Sequence, residues 1–235
     1  MQWNKLRDEV HKNAVEHGWW EKPLTFSEII VMCHSELSEA VEEYRAGRPM
    51  VYNACGCNHE YHNSDGVCAP ERVSCPTSND PLDCPYRGRK PEGVAVELAD
   101  CILRILDYMG QVKGDVDGIV RGLQGYAPIQ EKKGDGKPLP DLVAGCHYLL
   151  SSAYMSHRHA EMLGKKKEGQ KIQSARPLRP FRTRDFERIA REKMVGCILD
   201  IMRWAKDNGV DMEAIITAKN EYNKTREYRH GGKRL

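Results

Sequence analysis

Residues 29–47 read IIVMCHSELSEAVEEYRAG, and their apolar positions recur every three or four residues. This spacing places the apolar side chains on one stripe of an α-helix, for which Thr25 or Ser27 is a suitable N-cap. Residues 94–109 read VAVELADCILRILDYM and show the same spacing. The two stretches therefore predict a pair of amphipathic helices that pack through their apolar stripes.

The rest of the chain favours helices as well. Three further segments show helical periodicity, at 4–17, 140–163 and 185–208, and strand-like alternation is nearly absent. We therefore predict an all-α fold, a helical bundle. Residues 47–90 are rich in Cys, Asn, Pro and Gly and predict a loop insertion, whereas residues 164–184, with eight Lys or Arg and one acid, predict a solvated basic linker.

The composition excludes some classes of protein. With 235 residues, 40% of them hydrophobic, the chain can bury a substantial core. Its 36 Lys and Arg nearly balance its 34 Asp and Glu, so bulk charge indicates no particular partner. No stretch approaches the roughly 20 apolar residues of a membrane span, and the first residues lack the apolar core of a signal peptide. We expect a cytoplasmic protein with no membrane partner.

Parts of the sequence recur at fixed offsets. CHSELSEA at 33–40 returns as CHYLLSSA at 146–153, which is 113 positions later. CIL at 101–103 returns as CIL at 197–199, which is 96 positions later. Such recurrence predicts a degenerate tandem duplication of a helix pair. Chance similarity between amphipathic helices is the alternative.

The second offset continues into an acidic turn, where DVDGI at 115–119 aligns with DMEAI at 211–215. We therefore divide the chain into two halves. Residues 1–125 form the half that contains the insertion, and residues 126–235 form the degenerate half that contains the linker and ends in a polar tail.

Four acidic residues flank the two apolar stripes at matching positions. At 100° per residue, Glu36 and Glu39 lie on one flank of the first helix, and Glu97 and Asp100 have the same offset on the second. Antiparallel packing would gather all four carboxylates, and a hard divalent cation such as Mg²⁺ would neutralise their repulsion. A solvated acidic helix face is the alternative, since single Glu-x-x-Glu pairs are common.

The second half lacks these acids. By the same offsets, Glu36 and Glu39 correspond to Leu149 and Ser152, and Glu97 and Asp100 correspond to the residues Lys193 and Gly196. These side chains cannot bind a divalent cation in the same way. The sequence therefore predicts one metal site per chain.

The pattern of Glu36-x-x-Glu39 followed by Glu97-Leu-Ala-Asp100 resembles the signature of the MazG-like all-α nucleoside triphosphate pyrophosphohydrolases, which include dimeric dUTPases and dCTP pyrophosphatases. HGWW at 17–20 and a tail that begins KNEYNKTR at 219 strengthen the resemblance. It implies cleavage of a (deoxy)nucleoside triphosphate to the monophosphate and pyrophosphate, with Mg²⁺ as cofactor and Mn²⁺ as a substitute. The long insertion and the interposed helix pair depart from the family pattern.

The resemblance also assigns roles to residues. The four acids would be the metal ligands and the catalytic centre, and one of them, such as Glu39, could instead act as general base. Arg104, one turn beyond Asp100, would either contact phosphate or pair with Glu43. Apart from the resemblance, His34 is predicted to be a packed histidine, because its counterpart His147 lies in the half without acids. The full set of candidate substrate-binding residues is His17, Trp19, Trp20, Arg104, Lys219, Tyr222, Asn223 and Arg226. Subunits of the family pair, so we expect a homodimer, although the internal repeat could replace part of that pairing.

The insertion supplies thiols and imidazoles at spacings that fit no single zinc-finger pattern. A structural Zn²⁺ would stabilise such a loop, and free thiols are the alternative. The candidate ligands are Cys55, Cys57, Cys68, Cys75 and Cys84, with His59 and His62.

A different class of function competes with the enzyme. The insertion and the basic linker could belong to a non-enzymatic, zinc-containing module that contacts nucleic acid or a protein partner. The nearly neutral chain and the scarcity of aromatic residues among the linker's cations argue against sequence-specific nucleic-acid binding. A catalytically inactive homologue is disfavoured because all four acids are present in the first half.

Overall fold

Helices make up most of the regular structure. The computed structural model describes residues 1–54, 90–126, 136–167 and 182–229. These ranges contain one antiparallel sheet of two short strands, β1 (Tyr52–Ala54) and β2 (Lys90–Glu92). They also contain the helices α1 (Trp3–Glu16), α2 (Phe26–Arg45), α3 (Val94–Gln111), α4 (Val116–Tyr126), α5 (Leu139–Lys167), α6 (Thr183–Asp207) and α7 (Met212–Lys224). The prediction of an all-α fold is confirmed, and none of the described helices is long and apolar enough to cross a membrane.

Helix α2 begins after Thr25, one of the two predicted caps. The Thr25 hydroxyl accepts a hydrogen bond from the Glu28 backbone N–H at 3.3 Å, and the Glu28 carboxylate accepts one from the Thr25 N–H at 2.6 Å. This capping box satisfies two N–H groups that the helix leaves without partners. The apolar stripe of α2 is buried along its length, at Ile29, Ile30, Cys33, Leu37 and Ala40.

Helices α2 and α3 are antiparallel. Phe26 at the start of α2 meets Tyr108 near the end of α3, with ring centroids 5.2 Å apart. Further along α2, Glu36 lies beside Asp100, which is further back on α3. This direction places the acidic flanks of the two helices on the same side, as the sequence predicted.

The predicted insertion leaves the helical core through the small sheet. Tyr52 pairs with Glu92, and Ala54 pairs with Lys90, so the two ends of the insertion are adjacent at the start of α3. Residues 55–89 lie outside the described residues. The zinc site therefore stays a prediction, because it would use Cys55, Cys57, His59, His62, Cys68, Cys75 and Cys84.

The four helical cysteines lie at the centre of the bundle. Cys33 lies next to Cys101, Cys101 next to Cys197, and Cys197 next to Cys146. All four side chains are fully buried and none forms a disulfide. They pack as small hydrophobic residues, as the helical patterns predicted.

Helices α2 and α5 meet at two histidines that the sequence offset relates. The Nδ1 atoms of His34 and His147 are 2.6 Å apart, and their rings stack with centroids 4.8 Å apart. Burial lowers the pKa of both imidazoles. The prediction that His34 is a packed histidine agrees with this position.

The turn after α3 and the turn after α6 have the same local structure, 96 positions apart. Lys113 and Gly209 both adopt positive φ, 49° and 68°. Asp115 and Asp211 then cap the next helix, each accepting a hydrogen bond from the backbone N–H three residues later, at 2.9 and 3.1 Å. Helices α4 and α7 therefore begin in the same way.

Helices α4 and α7 pack mainly against helices other than the ones that directly precede them. Helix α7 packs against α3, α4 packs against α6, and α1 packs against α3, α4 and α7. One face of α3 is therefore covered by α1 from the start of the chain and by α7 from its end. The candidate site lies on this face.

Candidate functional site

Three of the four predicted acids converge. Glu36 from α2 and Glu97 and Asp100 from α3 each place a carboxylate oxygen within 4.8 Å of the others. Glu36 and Glu97 are buried, with only 6% and 5% of their surface exposed. A set of carboxylate oxygens at this spacing fits a hard divalent cation such as Mg²⁺.

Glu39 lies outside this cluster. The sequence grouped it with the other three acids, whereas the structure brings together only Glu36, Glu97 and Asp100 among the four. The Glu39 carboxylate is exposed and accepts a hydrogen bond from the Ser35 hydroxyl at 3.1 Å. Its negative charge still contributes to raising the pKa of Glu36. Glu39 is therefore placed at the edge of the acidic cluster.

The position of Glu97 depends on a glycine. Gly93 precedes α3 with φ 111°, and a Cβ there would lie 2.6 Å from the Pro49 carbonyl oxygen. The chain can therefore turn from β2 directly into α3, which puts Glu97 in the first helical turn. A helix N-terminus favours a negative charge. Burial outweighs that preference and, with the repulsion of Asp100, raises the pKa of Glu97 to about 9.

Glu92 on β2 is an additional acid that the sequence reasoning missed. It hydrogen-bonds with Glu97 and forms an ion pair with Lys90. Although burial opposes it, the Lys90 charge and the hydrogen bond with Glu97 lower the pKa of Glu92. Of these two carboxyl groups, the one that carries the proton is therefore Glu97. No periodic pattern marks Glu92, because it sits on a strand of only three residues.

Two cations neutralise the cluster, one from α7 and one from α3 itself. The Lys219 Nζ atom of α7 lies 2.8 Å from Asp100 Oδ2 and donates to the Pro91 carbonyl oxygen at 3.3 Å. Only 3% of Lys219 is exposed. Burial, the largest single effect, acts to lower its pKa, but Asp100, together with Glu97 and Glu92, raises the pKa above its ordinary value. The ammonium group of Lys219 therefore sits among the acids and does not face solvent.

Arg104 is the second cation. Its Nε donates to Glu36 Oε1 at 3.0 Å, so its partner is Glu36 and not Glu43, which the sequence offered as an alternative. The Arg104 guanidinium also lies over the Trp19 ring, 5.9 Å from its centroid. Arg104 thus links the acidic cluster to the predicted aromatic segment.

A pocket opens beside the cluster between α1, α3 and α7. Asp100 belongs both to the acidic cluster and to the wall of this pocket. The other lining residues are Val10, Asn13, Ala14, His17, Trp19, Leu103, Arg104, Asp107, Asn220, Asn223 and Arg226. Five of the eight predicted substrate-binding residues are therefore in one wall, namely His17, Trp19, Arg104, Asn223 and Arg226.

Three predicted substrate-binding residues are not among those that line the pocket. Lys219 is in the acidic cluster, and Tyr222 is half-buried on α7. The indole N–H of Trp20 donates to Asp107 Oδ1 at 2.8 Å, and its ring packs edge-on against His11. Trp20 therefore supports a residue of the pocket wall, which is a packing role.

The guanidinium group of Arg226 is a candidate for binding an anion in the pocket. It is half-buried in the pocket wall and has no ion-pair partner among residues 1–54, 90–126, 136–167 and 182–229. Burial lowers the pKa of its guanidinium group. An anionic ligand would restore the lost solvation of this cation.

The segment after α7 is attached to the turn that carries Trp19. The Arg229 backbone N–H donates to the His17 carbonyl oxygen at 3.1 Å, and its side chain pairs with Glu21 at 3.0 Å. The Tyr228 hydroxyl also donates to Glu21. These contacts fix Arg226 and the aromatic turn relative to each other. Residues 230–235 lie outside the described residues.

Gly18→Ala is predicted to disrupt this attachment. Gly18 has φ 79°, and an added Cβ would overlap the Tyr228 ring. We expect the free energy of unfolding to fall by roughly 1 to 3 kcal/mol, measured by urea denaturation, because an alanine is strained at positive φ and displaces Tyr228. Gly122→Ala on α4 is the control, since its Cβ would meet no atom within 4 Å. Equal stabilities of the two variants would contradict the prediction.

Comparison with known proteins identifies no relative: no family model, no curated protein and no solved structure matches the chain. The functional assignment therefore depends on the site and on the resemblance of its motifs.

Proposed function

We propose that the protein is a Mg²⁺-dependent nucleotide pyrophosphohydrolase, which converts a (deoxy)nucleoside triphosphate to the monophosphate and pyrophosphate. One observation carries the proposal: Asp100 belongs to both a cluster of three carboxylates and a pocket that contains guanidinium, aromatic and amide groups. A nucleoside triphosphate needs both environments, one for its charge and one for its base. Membership of the MazG-like superfamily, on the resemblance of the acidic motifs, is part of the proposal.

The chain's own residues would divide the work as follows. Glu36, Glu97 and Asp100 would hold Mg²⁺, or Mn²⁺ as a substitute. When bound, such an ion polarises the phosphorus and lowers the pKa of an attacking water. Arg104 and Arg226 would bind the phosphate oxygens and orient the triphosphate.

The remaining groups act around this centre. His17 and Trp19 would contact the base, and Glu39, exposed at the edge of the cluster, is the candidate for accepting the proton of the attacking water. Lys219 would stabilise the acids between reaction cycles, because its ammonium group is paired with Asp100.

The proposal also includes a degenerate duplication of a three-helix unit. Only the first copy would have kept the acidic residues, so each chain would have one site. The matching turns after α3 and α6, and the contact between His34 and His147, support the duplication. In the second half, Gly196 and Leu149 replace Asp100 and Glu36, and they are also neighbours: a Cβ on Gly196 would lie 3.8 Å from Leu149 Cδ1. The second location thus has an apolar contact in place of a carboxylate pair. The homodimer stays a prediction.

The test is direct. The purified protein is incubated with Mg²⁺ and each ribo- and deoxynucleoside triphosphate, and the products are separated by ion-exchange chromatography. Monophosphate and pyrophosphate in equal amounts are expected. Orthophosphate and a nucleoside diphosphate would indicate another hydrolase, and no turnover of any triphosphate would leave the non-enzymatic binding module as the better interpretation.

Binding of Mg²⁺ is predicted to release about one proton at pH 7. The pKa of Glu97, raised by burial and by Asp100 to about 9, means that Glu97 is protonated at this pH, and the cation must displace that proton. The affinity for Mg²⁺ should therefore rise with pH up to about 9. In the metal-free protein, the raised pKa of Glu97 makes its full contribution to the free energy of unfolding below pH 4.5. That contribution is lost as the pH rises through about 9.

Titration calorimetry in two buffers of different ionisation enthalpy measures this release. In Glu97→Gln the side chain has no proton to lose, so the difference between the buffers should disappear. A wild-type heat of binding that is independent of the buffer would show that Glu97 is already ionised.

A further inference from the structure

Three asparagines lie together in the pocket wall. Asn13 of α1 and Asn220 of α7 are buried, with 8% and 4% of their surface exposed, and Asn223 is half-buried one turn further along α7. The Asn13 Nδ2 atom donates to Asn220 Oδ1 at 3.5 Å. Buried amides on two helices that meet only in the tertiary structure need partners for all their polar atoms.

Two of these amides have an oxygen without a partner. The Oδ1 atoms of Asn13 and Asn223 are buried and accept no hydrogen bond from the residues that the structure describes. Leaving such an acceptor unpaired costs about 1 to 3 kcal/mol. If the Asn13 amide were turned over, its oxygen would face the Asn220 oxygen and the two would repel. The hydrogen bond between the two amides therefore indicates that the oxygen of Asn13 is the atom without a partner.

Neighbouring groups of the same wall are acceptors too. The His17 Nδ1 atom lies 2.8 Å from the Asn13 carbonyl oxygen, which can only accept, so Nδ1 donates and the neutral ring keeps Nε2 as an acceptor. The Asp107 carboxylate takes hydrogen bonds from His11 and Trp20 on one oxygen. These groups add acceptors to the wall, which also contains donors, namely the amide N–H groups of Asn220 and Asn223 and the guanidinium groups of Arg104 and Arg226.

We propose that Asn13 and Asn223 recognise the exocyclic amino group of a nucleobase, so that the pocket selects amino-bearing bases over uracil and thymine. This inference rests on the proposed function for the presence of a nucleotide. One amino group has two N–H donors, which matches two unpaired acceptors. Uracil would bring a carbonyl oxygen to the same place and leave both amide oxygens unpaired and repelled, and sites that hydrogen-bond a substrate discriminate strongly on this basis.

Cytosine and uracil provide the cleanest comparison, because they have the same size and differ at this group. The probes are α,β-methylene analogues of CTP and UTP and of their deoxy forms, which resist cleavage at the bond in question. With Mg²⁺ present, calorimetry should give at least about tenfold tighter binding of the cytosine analogue within each pair.

Variants then assign the preference to the asparagines. Asn13→Leu and Asn223→Leu should each bring the cytosine-to-uracil ratio close to one. Asn13→Asp keeps an acceptor in place and should keep the ratio above that of Asn13→Leu. Far-UV circular dichroism and urea denaturation show which variants are folded, and the second asparagine provides the test if the first variant is not.

The outcomes separate this inference from the proposed function. If the protein binds the cytosine analogue more tightly but hydrolyses no triphosphate, the hydrolase proposal is wrong and the inference about base recognition is supported. Three outcomes, each observed together with hydrolysis, would overturn the inference but support the hydrolase. They are equal binding of the two analogues, tighter binding of the uracil analogue, and a cytosine-to-uracil ratio that both leucine variants leave unchanged. Failure of every analogue to bind would overturn the inference as well.

Discussion

Asp100→Asn is expected to lower kcat/KM for triphosphate hydrolysis by about 10³-fold, which corresponds to about 4 kcal/mol of transition-state stabilisation. Asp100 is the carboxylate that the acidic cluster shares with the pocket, so its charge acts on both the cation and the phosphates. An amide keeps the shape and one oxygen but removes the charge.

The folded state should tolerate this change. Asp100 is one reason why the pKa of Glu97 is raised, second to burial. Neutralising Asp100 removes that repulsion, so Glu97 can ionise and replace Asp100 as the partner of the buried Lys219. We therefore expect a loss of activity that is larger than the loss of stability, measured by initial rates of pyrophosphate release and by urea denaturation.

The recurring sequence at 126–235 supplies a matched control. Lys193 is the counterpart of Glu97, and the variants Glu97→Gln and Lys193→Gln change corresponding helical positions. The first should reduce hydrolysis as Asp100→Asn does, and the second should leave kcat/KM within about twofold of wild type, because Lys193 is half-buried on α6 and is not part of the acidic cluster or the pocket. Equal losses in both would indicate a general effect on the bundle and would contradict a single site in the first half.

Helical periodicity was sufficient to predict the elements that bury a continuous stripe. The predicted segments 4–17, 140–163 and 185–208 correspond to α1, α5 and α6 to within a few residues. Helix α4 was missed because Gly118, Gly122 and Gly125 weaken its helical propensity. It forms because Val116 and Val120 are buried by packing against other parts of the chain, which is a tertiary effect.

The acidic cluster was predictable for the same reason. Once α2 and α3 are antiparallel, the angle per residue of an α-helix places Glu36, Glu97 and Asp100 on one side. The same geometry grouped Glu39 with them, whereas the structure leaves Glu39 exposed and outside the cluster. These relations need only local sequence and one assumption about packing direction.

The contacts that distant parts of the chain make in the acidic cluster and in the pocket were not predictable in this way. Lys219 is 119 positions from Asp100, and Asn13 is 207 positions from Asn220. No periodic pattern relates residues of α1 and α7, because the contact exists only when α7 crosses to the first half. The resemblance implied that Lys219 binds substrate, whereas in the metal-free protein its ammonium group is buried and paired with Asp100.

Lys219→Met is expected to lower the free energy of unfolding of the metal-free protein by about 3 to 5 kcal/mol, the usual cost of removing one partner of a buried ion pair. Methionine fills a similar volume but provides no charge, so Asp100 loses the cation 2.8 Å away and the Pro91 carbonyl oxygen loses its donor. Added Mg²⁺ should restore part of the stability, because a divalent cation held by Glu36, Glu97 and Asp100 would replace the missing positive charge.

Lys224→Met on the same helix isolates the effect of burial. Lys224 pairs with Glu221 at the surface, and exposed pairs of this kind contribute about 0 to 1 kcal/mol. The stability of Lys224→Met should therefore stay near that of wild type and should not depend on Mg²⁺ more strongly than wild type does. Urea denaturation of both variants in EDTA and in Mg²⁺ decides the matter. If Lys219→Met is no less stable than Lys224→Met in EDTA, the ammonium group of Lys219 does not neutralise the acids; if it is less stable but Mg²⁺ restores nothing, the three carboxylates are not the metal site.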